Sequence, residues 1–500
     1  MLSTIKGRRL LSTAIPLITK LPTDGKTLKD FIPHGAETTP IHHEVAPSSS
    51  HPFIQDLAPE INRRRRYFIE TYGCQMNVSD SEIVESVLTK SGLERVNDLS
   101  NADIALINTC SIREGAEDKV WARLYEIRAL GRKTGRRTVA VLGCMAERLK
   151  TKLLESDQLV DVVAGPDSYR DLPRLLSIAS DGQSAVNVIL SLDETYADIA
   201  PVRHSSNNVS AFVSIMRGCN NLCSYCIVPY TRGRERSRDI ESILQEIRRL
   251  SEQGFREVTL LGQNVNSYND ISRAPKGNYT LKDFNLTEGF SQKTKRTFRL
   301  GVRFPELLRQ CAEIDPELRI RFTSPHPKDF PDDLLEVVAN YKNVCNSLHI
   351  PAQSGSDAIL AAMKRDYTST AYRQLISNIY EMIPDCAITS DFITGFCGET
   401  EDDHRMTLDL IKDVGYSHAF MFAYSAREKT HAHSYLKDDV PEDVKARRLT
   451  EMTNLFHNMA RERAEKYVGT TQLVLIEGDS KRSGDFFSGR SDSNIKSFLL

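Results

Sequence analysis

Cys219, Cys223 and Cys226 stand at C-x3-C-x2-C spacing in the stretch Met216-Arg217-Gly218-Cys219-Asn220-Asn221-Leu222-Cys223-Ser224-Tyr225-Cys226. The apolar run 211–216 before them reads as a strand, so the thiols sit in the loop at its carboxyl end. So tight a loop aims three thiolates at one face of a metal cluster and supplies no fourth. A cubane of four irons held this way keeps one iron open to a small molecule. A structural zinc site closes four ligands around the ion, usually as two Cys pairs, and no second pair follows here.

Cys74, Cys110 and Cys144 form a second set, separated by 35 and then 33 residues. The pattern around them is what could bring them together. Apolar runs at 67–72, 102–108, 138–142 and 159–164 read as strands, and 79–91, 115–132, 146–154 and 169–177 as the helices that follow them. Such alternation predicts a parallel sheet with helices on both faces. Each cysteine ends one of the first three strands, and the carboxyl ends of parallel strands share the edge where ligands bind. Gly73 and Gly143 beside two of them let the backbone turn closely around a bulky group. The plain alternative is three buried thiols acting as small hydrophobes. Recurrence at the same place in three successive units favours a second cluster, again with three protein ligands. Asn77-Val78-Ser79-Asp80-Ser81-Glu82 offers capping side chains and first-turn acids to the helix after Cys74.

The alternation resumes beyond residue 205. Strands are expected at 212–216, 258–261, 319–323, 347–350, 387–393 and 419–423, with helices at 239–252, 305–314, 331–341, 357–364, 370–382 and 401–414. Six repeats predict a partial (β/α)6 barrel with its chemistry at the carboxyl face of the strands. Residues falling on that face are Gln263, Asn264, Ser324, His326, Gln353, Ser354, Gly395 and Gly398. Flanked by prolines, His326 fits a loop-shaping role better than that of a proton carrier. Cys311, Cys345, Cys386 and Cys397 lack ligand spacing and read as core or loop thiols. Arg232, Arg234 and Arg236 make a basic run just past the cysteine loop, well placed for phosphates. The interruption at 269–303 carries Lys276, Lys282, Lys293, Lys295, Arg296, Arg299 and Arg303 with Tyr279 and Phe298. Basic residues interleaved with aromatics either grip RNA or form a solvated loop.

Whole-chain quantities bound these readings. A length of 500 residues suggests about two to four domains. A formal charge of −2 excludes a globally basic nucleic-acid binder and leaves RNA contact to local patches. Ten cysteines are too sparse for a disulfide scaffold and suit a reduced, metal-binding context. No apolar run approaches a membrane span, and no membrane partner is expected. Residues 1–23 hold Lys6, Arg8, Arg9 and Lys20 without an acid, the composition of a mitochondrial transit peptide. The α/β organisation then runs as transit peptide and linker (1–60), parallel-sheet domain (61–200), partial barrel (205–445), and a connector helix with a short β segment (446–500). In the last part 472–477 reads as a strand and 489–492 as a turn.

With both cysteine sets placed, the chain resembles the methylthiotransferases of the radical S-adenosylmethionine (radical SAM) superfamily. The resemblance runs from about 67 to 490. It rests on Tyr72-Gly73-Cys74-Gln75-Met76-Asn77, Asn108-Thr109-Cys110, Leu142-Gly143-Cys144, the stretch 217–226, Gly262-Gln263-Asn264-Val265-Asn266 and His349-Ile350-Pro351-Ala352-Gln353-Ser354-Gly355-Ser356. The form Gly73-Cys74-Gln75-Met76-Asn77 resembles the MiaB-type tRNA branch; relatives acting on a ribosomal protein or on threonylcarbamoyl-adenosine vary it. The resemblance implies methylthiolation of carbon 2 of N6-isopentenyladenosine at tRNA position 37. It implies two 4Fe-4S clusters: one on Cys219, Cys223 and Cys226, whose open iron chelates SAM, and an auxiliary one on Cys74, Cys110 and Cys144. Gln263, Asn264, Ser324, Gln353, Ser354 and Gly395 become candidate SAM contacts, and Arg232, Arg234 and Arg236 candidate substrate contacts. Implied partners are the tRNA anticodon loop, an electron donor, a sulfur source and, from the animal mitochondrial branch, a kinase-regulatory protein. The family's small β-barrel, the TRAM domain, is expected here only in its opening strands.

Overall fold

The computed structural model describes residues 65–111, 114–135, 137–155, 159–203, 209–273, 290, 301–480 and 484–499. The basic segment 1–23, the linker 24–60 and, of the 269–303 interruption, residues 274–289 and 291–300 lie outside them.

Six strands make one parallel sheet: Arg66–Thr71 (β1), Glu94–Arg95 (β2), Ile104–Thr109 (β3), Thr138–Gly143 (β4), Val162–Ala164 (β5) and Ala185–Asn187 (β6). Their spatial order is β2-β1-β3-β4-β5-β6. β3 is buried along its whole length because both faces are covered. Its side chains alternate. Ile104 and Leu106 join the core with Ile83, Val84 and Leu88 of the helix Gln75–Lys90 (α1). Ala105 and Ile107 face Val120, Leu124 and Ile127 of the helix Glu114–Thr134 (α2). β4 runs directly into the short helix Cys144–Leu149 (α3). The short strands β2 and β6 carry too little periodicity to be read from sequence. α1 starts at Gln75, with Cys74 in the cap position and no side-chain cap. The polar run 77–82 therefore lies inside the helix and is not a capping segment.

Six parallel strands recur at Ser210–Ser214, Glu257–Leu261, Arg319–Phe322, Ser347–His349, Ala387–Thr394 and His418–Ala423. They pair in chain order, three and three, and a parallel bridge between Ile320 and Val344 joins the halves. This is the expected open barrel. Its helices coat the outside through apolar stripes: Ile240, Ile243, Leu244, Ile247 and Leu250 recur at helical spacing on Ile240–Glu252 and are buried. That helix is capped by Asp239, whose carboxylate accepts from the Ser242 N–H at 3.0 Å. Sheet and barrel fall in one compact unit, 62–500.

The carboxyl-terminal segment departs from its sequence reading. The helix Glu442–Glu465 leads to three antiparallel strands, Val474–Asp479, Phe487–Ser491 and Lys496–Leu499. Residues 489–491, expected in a turn, lie in the middle strand. Two barrel arginines hold this sheet: Arg321 donates to the carbonyls of Ser491 (2.7 Å) and Asp492 (2.9 Å), and Arg319 to those of Arg490 (2.9 Å) and Leu473 (3.0 Å). No helix among the described residues is long and apolar enough to cross a membrane.

Candidate active site

β1, β3 and β4 deliver Cys74, Cys110 and Cys144 to one edge of the first sheet, and Asn77 ties the first two loops together. Its Nδ2 donates to Asn108 Oδ1 (3.1 Å) and to the Thr109 carbonyl (2.9 Å), while Cys74 Sγ donates to its Oδ1 (3.2 Å). Asn108 Nδ2 returns bonds to the Asn77 carbonyl (2.8 Å) and Ser81 Oγ (2.9 Å). The glycines are needed for closeness. A Cβ on Gly73 would lie 2.5 Å from Cys110 Cβ, and one on Gly143 would lie 2.4 Å from Asn108 Oδ1. A hydrogen bond from Cys110, with the Arg232 charge nearby, outweighs burial and pulls the Cys74 thiol down to about 6. Burial pushes Cys144 up.

The second thiol loop follows Ser210–Ser214 at the barrel's carboxyl face. Gly218 adopts φ +76° where a Cβ would strike the Arg234 carbonyl at 2.0 Å. Burial raises the Cys219 thiol, and burial with Cys223 beside it pushes Cys226 to about 12. Such thiols ionise on meeting a cation, which iron supplies. Arg365, from the loop after the helix Asp357–Ala362, donates to Cys223 Sγ at 3.3 Å and to the Pro351 carbonyl at 3.1 Å.

The two thiol sets meet through a buried ionic bridge. α3, which begins with Cys144, packs against the short helix Val228–Thr231 that follows Cys226. Arg232, at the end of that helix, donates Nε to Cys144 Sγ (3.1 Å) and Nη1 to Asp80 of α1 (2.6 Å). Arg217, on the other side of the thiol loop, reaches the second Asp80 oxygen at 2.9 Å. Burial opposes the Arg217 charge, but Asp80 and Glu194 outweigh it and hold the guanidinium above its usual range. Breaking one partner of a buried group of this kind is strongly destabilising, whereas the intact set contributes mainly to register.

These contacts correct part of the sequence reading. Arg232 and Arg236 are not phosphate contacts: both are buried, Arg232 on Asp80 and Cys144, Arg236 on Asp167 at 2.9 Å. Their long side chains are drawn into the junction by acids of the first domain. Arg234 alone of the three is exposed. Four candidate SAM contacts also bond to protein. Gln263 Oε1 accepts from the Gly218 N–H (2.5 Å), and Asn264 Nδ2 donates to Glu235 Oε1 (3.1 Å). Ser354 Oγ pairs with Thr407 Oγ1 (3.2 Å), and the Gly395 N–H donates to Glu399 Oε2 (2.5 Å). Ser324 is exposed at the carboxyl face with φ +57°, and Gln353 has φ +68° at the same face. His326 shapes its loop, its Nδ1 accepting from the Lys328 N–H at 3.2 Å. Cys311, Cys345, Cys386 and Cys397 are buried.

Sequence reasoning placed Asn77 and Asp80 only in a helix start and Asn108 and Arg217 only within motifs, and did not single out Arg365. A polar residue inside a buried strand was the available signal for Asn108; nothing local marks Arg365.

Both thiol sets suit an iron–sulfur group. Each offers three soft donors, and Arg232 Nη2 and Ser111 Oγ, beside the Cys74 set, are buried without a hydrogen-bond partner. Among the described residues no His, Cys, Asp or Glu group converges tightly enough for a single ion. A cubane asks for wider spacing, since each thiolate meets a different iron.

Comparison with known proteins agrees with this geometry. Residues 66–165 match the model for Uncharacterized protein family UPF0004, and 213–411 that for the Radical SAM superfamily. The mitochondrial tRNA methylthiotransferase CDK5RAP1 of Mus musculus is 54% identical over 457 residues, 89% of this chain and 77% of the relative. The tRNA-2-methylthio-N(6)-dimethylallyladenosine synthase of Christiangramia forsetii is 50% identical over 439 residues, covering 88% of this chain and 89% of the relative. Among solved structures, the radical S-adenosylmethionine methyltransferase TsrM of Kitasatospora setae aligns at 14% identity with a TM-score of 0.49, covering 72% of this chain and 73% of that one. Identity of this level over most of this chain and of each relative means that the chain belongs to the tRNA methylthiotransferase family of radical SAM enzymes.

Proposed function

We propose that this protein converts N6-isopentenyladenosine at position 37 of tRNA to its 2-methylthio derivative, in the mitochondrion, with SAM and two 4Fe-4S clusters. The observation that carries the reading is the contact between two three-thiol loops, one at the sheet edge and one at the barrel mouth, through Arg232. A single-cluster enzyme has no use for the Cys74, Cys110 and Cys144 set.

Cys219, Cys223 and Cys226 would hold the cluster that binds SAM. Cys74, Cys110 and Cys144 hold the auxiliary cluster. When bound, these groups supply the radical that opens an unreactive adenine C–H bond and the sulfur that replaces the hydrogen. The chain's own contribution is placement. Asp80, Arg217 and Arg232 fix the two thiol loops in one register, which is where orientation gains its rate advantage. Arg365 steadies Cys223. Ser324 and Gln353 remain as SAM contacts at the carboxyl face, and Arg234 as a phosphate contact. A base in the single-stranded anticodon loop leaves its stack at little expense to reach this point.

The sheet, the barrel and the tail strands support domain limits at 61–200, 205–445 and 446–500. The acid-free basic segment 1–23 and the mitochondrial relatives support the location. An electron donor and a sulfur source complete the partners. A kinase-regulatory role would leave both thiol sets without a task.

The test is an anaerobic assay of cluster-reconstituted protein with isopentenyl-modified tRNA, SAM and dithionite, read by nucleoside mass spectrometry. The 2-methylthio nucleoside is expected. Full cluster loading and SAM cleavage without it would overturn the substrate; no SAM cleavage would overturn the reaction.

A further inference from the structure

Arg232 is 2% exposed, yet its guanidinium is only partly matched by protein. Nη1 is taken by Asp80 and Nε by Cys144 Sγ, whereas Nη2 has no hydrogen-bond partner. Nε and Nη2 lie on one edge of the planar group, so the spare donor is on the Cys144 side. Asp80 is shared with Arg217, and Tyr169 donates to Asp80 Oδ2 at 3.3 Å, which fixes the carboxylate and hence the fork.

We propose that Arg232 is the positioning residue that sets the reduction potential of the auxiliary cluster, by donating to the ligand sulfur of Cys144 and to an adjacent cluster sulfur. This rests on the two-cluster reading above. Hydrogen bonds to cluster sulfurs withdraw electron density and stabilise the reduced state, so they raise the potential. Because Arg232 belongs to the segment that follows Cys226, the barrel loop itself would tune the cluster held by the other domain.

The experiment is redox titration of the reconstituted holoenzyme by electron paramagnetic resonance, comparing wild type with Arg232→Gln and Arg232→Lys. Signals that change on adding SAM mark the radical cluster; the remainder mark the auxiliary one. The expected result is an auxiliary midpoint shifted negative in Arg232→Gln, partly restored in Arg232→Lys, with the radical cluster unmoved. Equal auxiliary midpoints in all three proteins would overturn the proposal and leave the two-cluster reading intact. A wild type carrying iron for one cluster would overturn that reading first. If Arg232→Gln fails to load, Arg232→Lys decides: a shifted midpoint supports tuning, an unshifted one refutes it.

Discussion

Replacing Asn77 with alanine removes the side chain that bonds the Cys74 loop to the Cys110 loop of the first domain. Its Nδ2 is the donor for Asn108 Oδ1 and the Thr109 carbonyl, and the side chain is fully buried, so no water takes its place. Each buried acceptor left without a donor costs about 1–3 kcal/mol, hence about 2–6 kcal/mol for the pair. Asn77→Asp keeps the volume but turns a carboxylate oxygen toward both acceptors, so it separates lost hydrogen bonding from lost packing and should be at least as damaging. Global unfolding is the wrong probe for a chain with several domains. Native-state hydrogen exchange of the amides at 74–82 and 108–111 reads the local effect: protection should fall about 30-fold or more, from about 2 kcal/mol upward. Iron content after reconstitution should fall toward one cluster. Unchanged protection together with full iron in both variants would refute the claim that Asn77 assembles this site.

Gly143→Ala places a methyl 2.4 Å from Asn108 Oδ1 and 2.7 Å from the Thr109 carbonyl at φ +86°, and should likewise lose auxiliary iron while SAM-dependent signals persist. Burial pushes the Glu85 carboxyl up to about 7 even with Arg95 at 3.4 Å. Between the ordinary glutamate range and that value the folded chain keeps a proton the unfolded chain has released, so stability is greatest below the window and declines as pH rises through it. Glu85→Gln should flatten that slope in the hydrogen-exchange protection of the α1 amides, corrected for intrinsic exchange, from pH 4.5 to 7; an identical slope would contradict it. Arg321→Ala removes two charge-assisted bonds to the tail sheet, each worth about 1.5–3 kcal/mol, and strands Glu257. Faster amide exchange over 474–499 than in Arg321→Lys is the expected result.

The spacing of Cys219, Cys223 and Cys226 stated its chemistry directly, because a metal-binding loop is local and its ligands are neighbours in the chain. Strand–helix alternation likewise fixed the parallel sheet and the open barrel, since periodic burial is written residue by residue. Even Cys74, Cys110 and Cys144 were legible, because a parallel sheet brings like ends of its strands to one edge. What lay beyond the sequence was which polar side chains are pulled inside. Arg232 and Arg236 looked like a solvent-facing basic run until the first domain's Asp80 and Asp167 were set against them. Asn77 looked like a cap until α1 began at Gln75 and turned it toward Asn108. The tail's third strand and its anchorage on Arg319 and Arg321 depend on a barrel far away in sequence. Local pattern specifies elements and short-range ligands; partners for buried charges and amides are chosen only when distant segments exclude water around them.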